Sequence, residues 1–150
     1  MNAVDVTAGN EHTCALDDNG AQCWGRNDNG QSDVPNLVNP VAVAAGGYHT
    51  CAIDDNGVQC WGRNSFGQTE YVPTDLVNPV AVAVGLDHTC AIDDNGVPCW
   101  GRHITWLGNT RGQTDVPNLG TPLSFSAGLP PTCAISANGV SASSTHLTPR

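Results

Sequence analysis

Basic residues are scarce in this chain. Lys and Arg together number 5 among 150 residues, against 14 Asp and Glu, and the formal charge is −9. So few cations exclude the electrostatic footprint that nucleic acid or an anionic membrane surface requires. Long apolar runs are also missing, and none approaches the roughly 18 to 20 residues that span a bilayer. The opening MNAVDVTAGNEHT has neither the basic nor the apolar stretch of a signal peptide, so none is expected within it. Long amphipathic helical patterns are absent, which excludes a helix bundle. No nucleophile elbow, phosphate loop or HExxH is present, and the serines gather in the C-terminal stretch. The chain therefore reads as non-enzymatic and without a cofactor.

Turn residues are what the sequence has in quantity. Gly numbers 17 and Pro 10, and Asn-Gly recurs at 19–20, 29–30, 56–57, 95–96 and 138–139. Such punctuation between short apolar stretches marks tight turns joining many strands. The expected class is all-β.

The words repeat. Cys14, Cys51, Cys90 and Cys133 each follow a Thr and lie 37, 39 and 43 residues apart. The departures from one period come from an extended linker, TEYVPTDLVNP, and an extended tip, GRHITWLGNTRGQ. One unit predicts three strands: NPVAVAAG (39–46), HTCAID (49–54) and VQCWG (58–62). Repeated short β units of about 40 residues are the signature of a propeller. Pro35, Pro73 and Pro117 fall in linkers, where no ladder bond is lost. The units run over about 3–38, 39–77, 78–119 and 120–140, a repeat region spanning 1–140, and 141–150 is an irregular polar tail. The fourth unit is degenerate: Ala142 and Ser143 stand where the second has Cys60 and Trp61. Three full three-stranded blades and a frayed fourth make an incomplete propeller, or one closed by assembly.

If Asp54 and Gly57 face each other across the turn, Cys51 opposes Cys60 and Ile53 opposes Val58. His49 shares their face, while Thr50, Ala52, Gln59 and Trp61 point the other way. Opposed strand residues have Cα atoms about 4.5 to 5.5 Å apart, within reach of a disulfide. Three readings follow for the cluster. Cross-strand disulfides Cys14–Cys23, Cys51–Cys60 and Cys90–Cys99 are favoured; reduced cysteines packed as small hydrophobes come next. A metal held by His49, Cys51 and Cys60 lacks a repeating fourth ligand, so no metal is assigned. Cys133 has lost its partner and is expected to be a buried thiol. Disulfides imply a secreted or extracytoplasmic setting, and reduced cysteines a cytoplasmic one.

The acidic DDNG turns lack the alternate spacing of a calcium loop and suit tight turns with Gly at positive φ. His12, His49 and His88, one per unit, are expected to be hydrogen-bonded inside their blades. Trp24, Trp61 and Trp100 are expected to pack in the core or between blades.

The words AGGYHTCAIDDNGVQCWGRNSFGQT, with VP and VAVAVG after them, resemble the repeat of the regulator of chromosome condensation superfamily. The short three-stranded version, similar to the seven-bladed propeller inhibitors of β-lactamases, is the nearest. The resemblance covers 3–119 well and 120–140 weakly. It implies a propeller, and a binding role rather than catalysis. Such propellers need about seven blades for closure, so open edges and self-association through them are expected.

Residues outside the repeat are free of its architectural demand. Tyr48, Phe66 and Tyr71, with Ile104, Trp106, Leu107 and Arg111 in the third-unit insertion, are the candidate binding residues. The resulting reading is a protein-binding propeller module that meets an unidentified protein partner through loops on one face. The alternatives are a structural piece of a larger propeller with no separate activity, or a β-lactamase-inhibitor-like protein.

Overall fold

Each unit contributes β-branched and small residues at alternating positions, then a turn that only a glycine at its last position closes without strain. The computed structural model describes residues 3–102, 122–127, 132–136 and 139–143. Their strands form four three-stranded antiparallel sheets, each taken in chain order. The first sheet is β1 (Ala3–Ala8), β2 (His12–Asp17) and β3 (Gly20–Gly25). The second is β4 (Ala42–Ala45), β5 (His49–Asp54) and β6 (Gly57–Gly62). The third is β7 (Ala81–Val84), β8 (His88–Ile92) and β9 (Cys99–Gly101), and the fourth β10 (Pro122–Ala127), β11 (Thr132–Ser136) and β12 (Gly139–Ser143). Strands β1, β4, β7 and β10 pack beside one another, so the sheets stand as propeller blades with their first strands innermost. Among the described residues no helix is long and apolar enough to cross a membrane.

Strand boundaries follow local chemistry. β4 begins at Ala42, later than the 39–46 span expected from pattern, because Asn39 sits at φ 49° and Pro40 has no N–H to donate. Asn78 adopts the same φ of 49° before Pro79, and β7 likewise begins late, at Ala81. In the third blade Pro98 replaces Gln59 and removes a ladder donor, so β9 begins at Cys99. The last strand of the fourth blade runs to Ser143, past residue 140 where the polar tail was expected to begin. Its backbone pairs with β11 whatever its side chains, Cys133 falling opposite Ala142.

The hairpin register is the expected one: Cys51 opposes Cys60, Ile53 opposes Val58, and Asp54 opposes Gly57. In each turn the first aspartate folds back. Asp17, Asp54 and Asp93 Oδ1 accept from the N–H groups of Asn19, Asn56 and Asn95 at 2.7–2.8 Å. Gly20, Gly57 and Gly96 take φ of 113°, 104° and 138°. The other oxygen of Asp54 and of Asp93 holds the incoming linker through the N–H of Val38 and of Val77, both at 2.9 Å. The acids thus serve the turn and its linker. Across the three hairpins the cysteine sulfurs lie 2.03, 2.08 and 1.97 Å apart, at disulfide distance.

The two faces of each hairpin serve two interfaces. Cys14 and Leu16 of the first blade bury against Val43, Ala45, Ala52 and Trp61 of the second. Cys51, Ile53 and Val58 of the second bury against Val84, Ala91 and Trp100 of the third. A polar lock runs through the same seams. Thr50 Oγ1 donates to the Gln31 carbonyl at 2.9 Å, and the Trp61 indole N–H reaches that same oxygen at 3.0 Å. The threonine has spent its one proton, so His12 Nε2, 2.8 Å from Thr50 Oγ1, is the donor to it. The next seam repeats the arrangement with His49, Thr89, Trp100 and the Gln68 carbonyl. His12 and His49 therefore bond across the seam and not inside their own blades, as pattern alone had suggested.

This lock keeps the histidines neutral. Nδ1 of His12 and of His49 is buried without a hydrogen-bond partner, so a proton there would find no acceptor. Burial pushes His12 below its usual value, and His49 down to about 3, with the neighbouring His88 and His12 adding to the effect. Burial takes His88 to about 4, partly opposed by Asp87. Folded-state values below the unfolded one mean that stability is full above about pH 6.5 and is lost as the pH falls from there toward 4. Between pH 7 and pH 5, where exposed carboxylates remain ionised, thermal denaturation should show a falling Tm, with up to about 2 kcal/mol of stability lost for each of His49 and His88. A Tm constant over that window would contradict neutral histidines at the seams. Intact mass of the unreduced chain is expected about 6 Da below the fully reduced value, for three hairpin disulfides. A full complement of titratable thiols would contradict them.

Candidate functional site: an arginine–aromatic row on one face

Because β2 runs against β1 and β3, the turn after each first strand and the residue after each third strand emerge at the same end. The backbone ties them: the N–H groups of Arg26, Arg63 and Arg102 donate to the carbonyls of Glu11, Tyr48 and Asp87 at 2.8–2.9 Å. Each blade thus presents one arginine beside one residue that differs from blade to blade. The blades are adjacent, so these pairs line up.

The outcome is an alternating row. The Tyr48 ring lies between two guanidinium groups, Arg26 at 5.9 Å and Arg63 at 5.2 Å from its centroid. The Phe66 ring lies between Arg63 at 5.9 Å and Arg102 at 4.4 Å. Carboxylates fix the arginines from the sides. Arg26 bonds Glu11 at 2.6 Å and Asp28 at 2.7 Å, and these bonds hold its guanidinium above its usual value. Asp87, nearly buried, takes Arg102 at 3.1 Å and has Arg63 at 3.8 Å. Cation–π contacts of this kind at partly exposed sites contribute about 0.5–1 kcal/mol, and exposed ion pairs no more. The row is ordered by many weak contacts, and Arg26, Arg63 and Phe66 each keep part of their surface exposed.

Two of the expected binding residues, Tyr48 and Phe66, are brought together through Arg63. Tyr71 stands apart from the row: it is 68% exposed, its N–H donates to the Gly67 carbonyl at 3.0 Å, and its ring covers Gly67, where a Cβ would collide with it. Ile104, Trp106, Leu107 and Arg111 lie outside the described residues, in the stretch that follows Arg102 directly. The three arginines were not among the residues expected from sequence. Their signal was present, since WGR occurs in all three full units, but a repeated word reads as architecture. Glu11, Tyr48 and Asp87 occupy the one non-repeating position beside it. No described group of three or more His, Cys, Asp or Glu could hold a metal ion. His49 Nε2 faces Thr89 of the next blade at 2.8 Å.

Three-stranded blades around a common axis, with loops gathered on one face, define a propeller-type repeat protein. Residues 3–31 and 41–68 match the regulator of chromosome condensation (RCC1) repeat. No curated protein matches it in sequence. Among solved structures, the ectodomain of the Arabidopsis thaliana receptor kinase ACR4 is similar with a TM-score of 0.77 at 26% identity, over 95% of this chain and 51% of that one. The ectodomain of the Physcomitrella patens receptor kinase CR4 gives 0.77 at 22%, over 99% and 42%. Prp20p from Saccharomyces cerevisiae gives 0.72 at 19%, over 94% and 45%. The chain therefore spans about half the length of these structures. The matches carry the repeat and the propeller fold, and do not carry the narrower resemblance to β-lactamase inhibitors.

If the row is surface and the seam is architecture, substitutions should separate them. Phe66→Ala is expected to change unfolding free energy by less than about 1 kcal/mol. Trp61→Ala, at a buried seam, should cost about 3–5 kcal/mol. Urea denaturation followed by circular dichroism reads both, and equal losses would place Phe66 in the architecture.

Proposed function

We propose that the chain is a non-enzymatic protein-binding module that meets its partner through the arginine–aromatic row and the insertion beginning after Arg102. The observation that carries this reading is where the cations lie. Of only 5 basic residues in the chain, Arg26, Arg63 and Arg102 stand side by side on one face, interleaved with Tyr48 and Phe66. Arg and Tyr are among the side chains that most often anchor protein interfaces, and here they are already held in place, so little ordering remains to be done on binding. Superfamily neighbours support the class of function: Prp20p was solved with attention to its binding of Gsp1p and histones, and also bound to Kap60. The opposite end carries the DDNG turns, whose first aspartates are engaged with their own backbone.

Cysteine pairs at disulfide distance and the similarity to two receptor ectodomains favour an extracytoplasmic site of action. Binding through the row can be tested with partners cross-linked to the wild-type chain and identified by mass spectrometry. An Arg63→Ala/Phe66→Ala variant should lose at least ten-fold in yield of a specific partner, while Asp55→Asn/Asp94→Asn, on the turn face, should keep it. Loss of the partner by the turn-face variant alone would overturn the assignment of the face.

A further inference from the structure

At the end of the blades opposite the row, Asn39, at φ 49°, and Pro40 turn the linker into β4. The corner is clipped to the hairpin turn of its own blade. The Asp55 N–H donates to the Val38 carbonyl at 2.9 Å, the Asn39 amide to Asp55 Oδ2 at 2.6 Å, and the Val41 N–H to the Ile53 carbonyl at 2.8 Å. The third blade repeats the clip: Asp94 donates to Val77 at 2.9 Å, Asn78 to Asp94 at 2.7 Å and Val80 to Ile92 at 2.9 Å. These hydrogen bonds are internal, yet the aliphatic side chains of the corner are open. Val41 and Val80 are 68% and 67% exposed, and Val38 and Val77 are 42% and 43%. Val4, at the equivalent position of the first blade, is 68% exposed, and Leu123 holds that position in the fourth unit. A lone exposed valine calls for no explanation, but an aliphatic residue at one position of every unit does.

We infer that these corners form a docking surface for a protein segment that carries lysine or arginine side chains between aliphatic ones. The valines supply the apolar contact, and the charge follows from what stands beside them. Each corner holds an exposed carboxylate, Asp55 or Asp94, whose side-chain partner is the neutral amide of Asn39 or Asn78. The chain has no lysine, and the arginines among the described residues, Arg26, Arg63 and Arg102, all stand at the far end of the blades. A cation arriving at Asp55 or Asp94 therefore displaces no ion pair among the described residues. An anionic membrane or a nucleic acid would meet these carboxylates with like charge. Pro40 and Pro79 fix the corners before binding, so little remains to be ordered. The two corners open adjacent innermost strands, β4 and β7. Sheets packed face to face lie about 10 Å apart, which an extended chain covers in about three residues. The segment that fits has a cation at every third position and aliphatic residues between. This end is separate from the arginine–aromatic row, so the inference stands or falls independently of the function proposed above.

The probe is the peptide acetyl-Lys-Leu-Val-Lys-Leu-Val-Lys-amide, titrated at low salt into the methyl-labelled chain and followed by NMR. Saturable shifts of the Val41 and Val80 methyl signals are expected, with the Arg63 Nε–H signal unmoved. Asp55→Asn/Asp94→Asn removes the charges and keeps an oxygen for Asn39 and Asn78, and should weaken binding about ten-fold. Val41→Thr/Val80→Thr, of the same shape at exposed positions, should bring a comparable loss. So should replacing each aliphatic residue of the peptide with serine. No shift of the valine methyls with the first peptide would overturn the inference, and so would equal affinity of the serine peptide or of the aspartate variant. Concentration-dependent shifts of the same methyls in the chain alone would also overturn it, since the occupant would then be a second copy.

Discussion

One carbonyl oxygen per seam governs this structure. The main-chain oxygens of Gln31 and Gln68 each receive a threonine hydroxyl and a tryptophan indole from the following blade, in places where no water reaches. A buried donor left without an acceptor costs about 1–3 kcal/mol, so the two donors must arrive at one oxygen together. That demand fixes the approach of each blade to the next. It also sets the position of the tip that carries the glutamine, because Gln31 and Gln68 fold their side-chain oxygens back onto the N–H groups of Asn29 and Phe66. Phe66 is thereby held at the end of the turn that the seam requires, which is how a packing constraint comes to order a surface residue.

The same constraint explains which positions are free to vary. His, Thr, Cys, Trp and Gln recur because each is spent on the seam or the hairpin. The residue just before each histidine lies at the loop end and has no such duty; it is Glu11, Tyr48 and Asp87 in turn. Arginine recurs beside it, tied to the backbone of that variable residue, and can stack on an aromatic or pair with an acid. Two neighbouring blades then read each other: Arg63 touches Tyr48 of its own blade and approaches Asp87 of the next. A repeat built this way offers a row of constant cations with interchangeable neighbours.

Much of the fold was legible because its signals are periodic. The strand triplets, the hairpin register and the DDNG turns all follow from alternation, from Asn-Gly, and from counting across a turn whose two ends pair. Contacts between units were less legible. A histidine three times in one position announces a structural role but not the direction of its hydrogen bond, and that direction, across the seam, depends on how far one blade rotates from the next. The arginine row was hidden for a related reason. Repetition marked Arg26, Arg63 and Arg102 as scaffold, and only their proximity in space shows that constant and variable positions form one surface. Tyr71 shows the converse: non-repeating and aromatic, it packs over a glycine of its own linker instead of joining the row.

The paired cysteines act on the units of the array. In a repeat protein, stability is approximately the sum of what each unit contributes and what each interface contributes, and a closed ring has one interface per blade. Among the described residues the buried side chains of the first blade lie against the second. Here Val6 and Trp24 remain exposed where Val43 and Trp61 are buried. A covalent tie within the hairpin strengthens the unit and not the interface. Closing a loop with a sequence separation of 9 contributes about 2–3 kcal/mol, chiefly by restricting the unfolded chain. It does so equally in all three full blades. The hairpins of the three full blades carry the tie, and the fourth, with Ala142 opposite Cys133, does not. Part of the stability is thus placed in the units, independent of the interfaces between them.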